Sequence, residues 1–293
     1  MDAKFYKELK EPRFNSKQRK QVANDLKEIL DVFGYILNYL VEYNVEIPRH
    51  RYMTSPLVNK FILHTLTILR LLSGTVLKSR LLKNQITIYD IASIVILTRS
   101  SIENYITFFY LYIQPKDEEE ELFRLNLYEL SGLNSRQWSN PEEHELLSIK
   151  IQDQKRINEL ENIVFNHPLF LKLKPELQKR VKGRKPARLF TWWSLLEQAD
   201  LNTDIFKLAW SLYSNYAHSE YLSQMQIRES LSNIEYAKEK CNLILNIMFC
   251  LTSVFLRDFI KLFPETKQRY NSLDKNTLEV IDIFNFYGRK VEE

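Results

Sequence analysis

The sequence has little glycine, proline or cysteine, and no strong excess of charge of one sign. Only five glycines and nine prolines occur in 293 residues. This scarcity disfavours a fold with many tight hairpins, because hairpin turns need residues that accept positive φ. The net charge of +4 is too small to mark a general polyanion-binding protein. With 45% hydrophobic and 27% charged residues, the chain has the composition of a globular protein.

The two cysteines, Cys241 and Cys250, lie in an apolar stretch and lack the CxxC spacing of redox or zinc sites. We expect both to be small buried side chains in a reducing compartment. The first residues contain no apolar run typical of a secretory signal, so a cytoplasmic location is expected. The longest uncharged stretch, Cys241–Leu256, is shorter than the roughly 20 residues that cross a bilayer. It therefore predicts a buried core helix and no membrane partner.

Most of the chain has the hydrophobic period of an α-helix, and no run alternates as a strand does. The fold class is therefore predicted to be all-α, a multi-helix bundle with long central helices. Residues 1–293 are expected to form a single domain with a polar helical insertion at about 116–188, whose acidic run Asp117–Glu121 is solvated. The predicted helices cover residues 16–43, 56–79, 87–113, a segment from 116, 140–164, short pieces of 168–188, 191–198, 203–222, 231–262 and 275–287.

One histidine lies among hydroxyl and amide side chains in the stretch Trp210–Tyr221. On a continuous helix, His218 would share one face with Ser214 and Asn215. An imidazole held in such surroundings can act as a general acid or base. The same neighbours could also supply hydrogen bonds to a histidine that is buried in a core and has only a structural role. The spacing leaves both interpretations open.

Two opposite charges, Arg99 and Glu103, lie four residues apart in the most apolar predicted helix. Charges in such a helix are costly to bury unless they are paired. One interpretation is an internal ion pair. The other is a polar pocket in which Arg99 binds an anion and Glu103 orients either Arg99 or His218.

These segments resemble a large family of uncharacterised bacterial proteins in the neighbourhood of the HEPN superfamily (higher eukaryotes and prokaryotes nucleotide-binding domains). The resemblance is carried by Arg99-x-x-x-Glu103 on one helix and by Tyr213-x-x-x-Ala-His218-Ser on a later one. It covers residues 91–112 and 187–223. Many members of that superfamily are metal-independent ribonucleases, whose signature is an arginine, four to six residues and a histidine, usually completed by dimerisation.

The resemblance implies that His218 transfers the proton in RNA cleavage. The signature arginine has no counterpart, because Ser211, Leu212 and Tyr213 hold its three positions. Arg99 becomes the candidate for stabilising the extra negative charge, with Glu103 holding it in place. The candidate substrate-positioning residues are Tyr213, Ser214 and Asn215. Inactive members of the superfamily bind or dimerise, so the alternative is a non-catalytic interaction or dimerisation module with a buried Arg–Glu–His network.

A basic cluster precedes the His218 segment and ends in aromatic residues. Cations beside aromatic rings suit a phosphate backbone with stacked bases, although a solvated surface has the same composition. The candidate nucleic-acid-binding residues are Lys182, Arg184, Lys185, Arg188 and Trp192.

The leading hypothesis is an RNA-binding or RNA-cleaving protein of bacterial stress or phage defence. A second copy of the chain or a cognate regulator is the other candidate partner, and a small-molecule sensor is a third hypothesis. The five histidines lack metal-ligand spacing, and nucleotide-binding and hydrolase motifs are missing. We therefore expect neither a metal nor another cofactor.

Overall fold

The computed structural model describes residues 16–78, 85–137 and 144–290. These residues are mostly helical, which confirms the prediction of an all-α, multi-helix bundle. In chain order the α-helices are α1 (Ser16–Glu42), α2 (Thr54–Leu72), α3 (Ile91–Phe108), α4 (Glu118–Arg136), α5 (His144–Phe165), α6 (Pro168–Leu171), α7 (Pro175–Arg184), α8 (Trp192–Gln198), α9 (Thr203–Ala217), α10 (Tyr221–Ser232), α11 (Ile234–Leu262), α12 (Lys267–Asn271) and α13 (Lys275–Gly288). Single turns of other helix types cover Arg49–Met53, Phe109–Ile113 and Pro264–Thr266. The predicted helix start at residue 140 lies outside the described residues.

The chain divides into two compact units. Unit 1 is formed by the described parts of Met1–Ile47, Met53–Ile106 and Leu196–Glu293, and unit 2 by those of Pro48–Tyr52 and Thr107–Leu195. The polar segment predicted at 116–188 falls within unit 2.

Helix α11 forms the centre of unit 1, where its aromatic side chains meet those of three other helices. The ring of Phe255 makes edge-to-face contacts with Phe33, Phe61 and Tyr105, at centroid distances of 5.4, 4.9 and 5.5 Å. All four rings are fully buried. Edge-to-face pairs add about 0.5–1.5 kcal/mol each beyond the burial of their area. This cluster therefore holds α1, α2 and α3 against α11.

A carboxylate lies inside this apolar core. Asp258 of α11 is 1% exposed, and it accepts hydrogen bonds from the hydroxyl of Tyr105 at 2.8 Å and the guanidinium of Arg289 at 2.6 Å. Lys261, one turn further along α11, donates at 3.0 Å. Burial and the neighbouring carboxylate raise the pKa of Tyr105 well above its usual value. Tyr105 therefore keeps its proton and remains a donor to Asp258.

The last described helix, α13, packs closely on α11. A Cβ atom added at Gly288 would lie 2.8 Å from Cγ2 of Val254 and 3.1 Å from the carbonyl oxygen of Cys250. Beyond Gly288, Arg289 also donates to the carbonyl oxygen of Ala199, ahead of α9. The small residue lets α13 approach α11, so that Arg289 reaches Asp258.

Helix α11 is long and apolar enough to cross a membrane, by length and composition alone. Most of its apolar stretch is instead buried inside the protein, as expected of a core helix. Cys241 and Cys250 are both buried in this part of the helix, and no disulfide joins them.

The chain between α2 and α3 differs from the prediction. Helix α2 ends at Leu72 rather than at residue 79, because Gly74 adopts a φ of 81°. Residues Thr75–Leu77 then pair with Ile86–Ile88 as two antiparallel strands, β1 and β2, which the sequence analysis did not predict. As a result α3 begins at residue 91 rather than 87.

Unit 2 has its own apolar core, built from α4, α5, α6 and α7. Its buried members are Phe123, Leu127, Leu130, Ile157, Leu160, Val164, Phe170 and Val181.

The predicted solvation of the acidic run Asp117–Glu121 is wrong at its last residue. Glu121 is 3% exposed and accepts two hydrogen bonds of 3.0 Å from Arg51, while His50 lies 3.3 Å away. The 3.6-residue period turns this position of α4 inward. A distant arginine supplies the pairing that its burial demands.

The close approach at Gly288 predicts opposite effects for two alanine substitutions in unit 1. Gly288→Ala should lower the free energy of unfolding by about 1–3 kcal/mol, because the new methyl overpacks the contact with α11. Gly34→Ala is the matched control: it lies exposed within α1 and meets no atom within 4 Å. It should stabilise the protein by about 0.5–1 kcal/mol. Urea denaturation followed by circular dichroism measures both, and equal effects would contradict the packing described for Gly288.

Candidate functional site

Arg99 and Glu103 form an ion pair on one face of α3. Nη2 and Nε of Arg99 both lie 3.1 Å from Oε1 of Glu103. Their side chains are 17% and 27% exposed, so the pair lies at the edge of the core with part of it open to water. Residues four apart on a helix are neighbours, which makes this pairing a local consequence of the sequence.

Trp210 of α9 joins this pair, although it was absent from the sequence-predicted site. Its Nε1 donates to Oε1 of Glu103 at 3.1 Å, and the Arg99 guanidinium lies 5.4 Å from the centre of its ring. Cation–π and charge-assisted contacts therefore connect α3 to α9. The sequence contained an indication of this contact, because the N–H of a partly buried indole needs a hydrogen-bond acceptor. In this arrangement Arg99 and Glu103 contact one another and the side chain of Trp210.

His218 occupies a different position from the one predicted. Helix α9 ends at Ala217 rather than continuing to residue 222, and Ser219 adopts a φ of 54° before α10 begins. His218 caps the end of α9 and is exposed. It comes eight positions after Trp210, which corresponds to about 12 Å along a helix axis. Within the described residues, no hydrogen bond or ion pair joins His218 to Arg99 or Glu103.

The three predicted positioning residues are spread around the last turns of α9. Tyr213 is buried at 7% exposure, whereas Ser214 and Asn215 are half-buried. The carbonyl oxygen of Asn215 accepts a hydrogen bond from the backbone N–H of Glu220, which closes the turn after α9. The shared helical face expected for His218, Ser214 and Asn215 is therefore interrupted, because the helix ends between Ala217 and Ser219.

The predicted nucleic-acid-binding residues are all found in unit 2, in α7 and in the segment from α7 to the start of α8. We call Lys182, Arg184, Lys185, Arg188 and Trp192 the basic–aromatic surface. Lys182 and Arg184 are exposed, and Arg188 and Trp192 are half-buried. The guanidinium carbon of Arg188 lies 3.5 Å from the centre of the Trp192 ring, in a close stack. Stacking of this kind holds a cation in place on the ring.

Two lysines of this surface have protein contacts of their own. Lys185 adopts a φ of 45° at the end of α7, and its Nζ is 2.5 Å from Glu161 and 3.4 Å from Oδ1 of Asn134. Its charge is therefore partly neutralised. The Nζ of Lys182 lies 5.6 Å from the ring of Phe170, with its apolar stem along the edge of the core. Lys182 remains exposed, so its charge is open to solvent.

In the part of the chain that the structure describes, no group of three His, Cys, Asp or Glu side chains could hold a metal ion. Sequence reasoning also missed Asp258 and its partner Arg289. The signal was present, since Asp258 is the single acidic residue between Lys240 and Pro264. A lone carboxylate in an apolar helix requires a donor from elsewhere.

No protein-family model, curated protein or solved structure matches this chain. The resemblance to the HEPN neighbourhood therefore stays a prediction, and the geometry of the chain's own residues carries the functional argument.

The contact between Glu103 and Trp210 predicts a coupling free energy between α3 and α9. Trp210→Phe removes the N–H donor, and Glu103→Ala removes its acceptor. Each should cost about 1 kcal/mol of unfolding free energy, and the double variant should cost less than the sum by about 0.5–1 kcal/mol.

Ser211→Ala provides the control for this cycle, because Ser211 is the exposed neighbour of Trp210 on α9. Its effect should simply add to that of Glu103→Ala. Urea denaturation of the single and double variants gives both comparisons. Additivity of the Trp210 and Glu103 changes would show that the hydrogen bond contributes nothing to stability.

Proposed function

We propose that this protein binds RNA through the basic–aromatic surface of unit 2. The observation that carries the proposal is the contact of Arg188 with the Trp192 ring, a few residues after the exposed cations Lys182 and Arg184. The cations suit a phosphate backbone, and the half-buried indole suits a nucleobase. Paired bases would hide their faces, so single-stranded RNA is the better substrate for such a surface.

The charge around the surface supports the same proposal. Between residues 172 and 188, Glu176 is the single carboxylate. The cations of this segment are Lys172, Lys174, Lys179, Arg180, Lys182, Arg184, Lys185 and Arg188. The net charge of the whole chain is only +4, but this segment has a strong local excess of positive charge. Local positive potential, rather than net charge, attracts a polyanion to one face.

Salt dependence provides the test of RNA binding. The logarithm of the RNA association constant falls linearly with the logarithm of the salt concentration. For a single strand, each phosphate that loses its protein cation should reduce the magnitude of this slope by about 0.7. The double variant Lys182→Gln, Arg184→Gln should therefore bind oligouridine more weakly, with a slope smaller by about 1.4. Fluorescence anisotropy of a labelled oligonucleotide over a range of salt concentrations measures both quantities.

Lys267→Gln, Lys275→Gln makes the matched control, because it removes two exposed cations of unit 1. It should leave the slope unchanged. An equal decrease in affinity and slope for both double variants would mean that only net charge matters, and the proposal would fail.

Metal-independent RNA cleavage is the second candidate function, and the exposure of His218 favours it. The imidazole lies in a turn that solvent reaches, where it could take the proton of a ribose 2′-hydroxyl as that oxygen attacks the adjacent phosphate. The bond from phosphorus to the 5′-oxygen of the next nucleotide breaks as the new bond forms, and the leaving oxygen takes up a proton from the imidazolium or from water. The Arg99 guanidinium is engaged with Glu103 and Trp210, which favours a structural role for that pair over charge stabilisation in the reaction. The non-catalytic module of the alternative hypothesis would keep Arg99 and Glu103 in this structural role.

Incubation with total RNA in EDTA decides between binding alone and cleavage. Intact RNA is the result expected from binding alone. If the wild type cleaves, His218→Ala should abolish cleavage without loss of stability, because the side chain is exposed. Cleavage that persists in His218→Ala would remove this histidine from the mechanism. Arg99→Ala serves as the comparison, and its unfolding must be measured first because it breaks the contact with α9.

A further inference from the structure

Unit 1 contains a cavity that the RNA proposal does not use. Its volume is about 390 Å³, within the size range of small-molecule sites in proteins. Helices α9 and α11 form its long walls, α13 closes one side with Phe284 and Tyr287, and α3 contributes Val95. Leu208 and Tyr287 are 44% and 41% exposed, so the cavity opens to solvent between α9 and α13.

The wall along α11 is mostly apolar, with Asn246 as the one polar side chain that lines the cavity between Lys240 and Cys250. Leu243, Ile244 and Ile247 line the cavity between Lys240 and Cys250. Because these residues recur at helical spacing, the lining is a continuous stripe about 15 Å long. An apolar stripe of this length matches an extended hydrocarbon better than a compact polar metabolite.

Three of the polar groups that line the cavity lie near the Lys240 end of this stripe. The hydroxyl of Tyr216 donates to Oε1 of Gln226 at 2.8 Å. Tyr236 is close enough to Tyr216 to raise the pKa of its hydroxyl, and the ring centre of Tyr236 lies 5.2 Å from the ammonium of Lys240. Tyr216, Gln226 and Lys240 therefore line the same end of the cavity. Phe284, stacked on Phe249 at 4.4 Å, lines the opposite end near Cys250.

Lys240 alone carries a charge among the described residues that line the cavity. Burial raises the pKa of Tyr216 to about 12, with a further contribution from Tyr236. Burial likewise raises the pKa of the Cys250 thiol to about 12. Both groups are neutral at physiological pH. The cavity thus presents a cation at one end and uncharged walls elsewhere, which is complementary to an anionic head on an apolar tail.

We propose that this cavity binds an elongated amphipathic carboxylate, with its tail along α11 and its carboxylate at Lys240. The occupant is a linear monocarboxylate rather than a nucleotide, because the described lining contains one cation and no second basic group for a phosphate chain. An ion pair with Lys240 would orient the carboxylate, and burial of each methylene would supply affinity.

A series of linear carboxylates tests the apolar part of the site. Octanoate, decanoate and dodecanoate are titrated into the whole 293-residue chain, without RNA, by isothermal titration calorimetry. Each two-carbon step should tighten binding by about fifteenfold until the cavity is filled. The heat-capacity change should be negative and grow with chain length. Absence of saturable binding, or affinity independent of chain length, would overturn the proposal.

Lys240→Met tests the head group, because it removes the charge and keeps a long apolar stem. Dodecanoate should bind roughly tenfold more weakly to this variant, whereas the affinity for dodecanol should stay the same. Lys238→Met is the matched control: it removes the same charge two residues away, where Lys238 pairs with Glu235. Equal decreases in affinity for the two variants would show that Lys240 has no special role and would overturn the assignment of the head group.

Ala209→Leu tests the location of the site. Ala209 is 4% exposed and lines the cavity on α9, so a larger side chain should fill it and abolish binding of dodecanoate and dodecanol alike. Leu212→Phe makes the same test if Ala209→Leu does not fold, as judged by circular dichroism. Unchanged affinity in a folded variant would place the ligand elsewhere and refute the proposal. Because RNA is not present, these outcomes are separate from those for the basic–aromatic surface.

Discussion

A carboxylate buried in an apolar core is the constraint around which unit 1 is arranged. Asp258 lies on α11, which is buried along most of its length, and a carboxyl group there requires hydrogen-bond donors around it. Tyr105 donates from α3, Lys261 from the next turn, and Arg289 from beyond α13. Satisfying the charge therefore brings the segment after α13 onto the core. The same requirement places α13 beside α11, where the two helices bound the cavity.

The two units use charge in different ways. In unit 1 Arg99 binds Glu103 and lies over the ring of Trp210. These three side chains fix the position of α3 against α9. In unit 2 the buried acid Glu121 is paired with Arg51, whereas Lys182 and Arg184 remain exposed. A polyanion is therefore expected at the surface of unit 2, and an apolar ligand with one negative charge inside unit 1.

The helical pattern was predictable where hydrophobic period and breaker residues agree. Helix α1 ends one residue before the predicted end, and α11 ends at its predicted residue, two residues before Pro264. The break between α9 and α10 was not predictable, because its turn contains neither glycine nor proline. Ser219 takes a left-handed conformation that its residue type rarely adopts, and the surrounding fold stabilises it. That one turn moves His218 from the middle of a helix to an exposed end.

Periodicity and residue chemistry, read from the sequence alone, predicted the all-α class and the local excess of cations before Trp192, and gave the pairing of Arg99 with Glu103 as one of two interpretations. These features arise from residues within a few turns of one another, so short-range rules are sufficient. Tertiary structure alone decided that Trp210 reaches Glu103, that Arg289 reaches Asp258, and that α9, α11 and α13 leave a cavity. Those contacts join residues 107 and 31 positions apart. Such pairings follow from how whole helices pack, which no local pattern specifies.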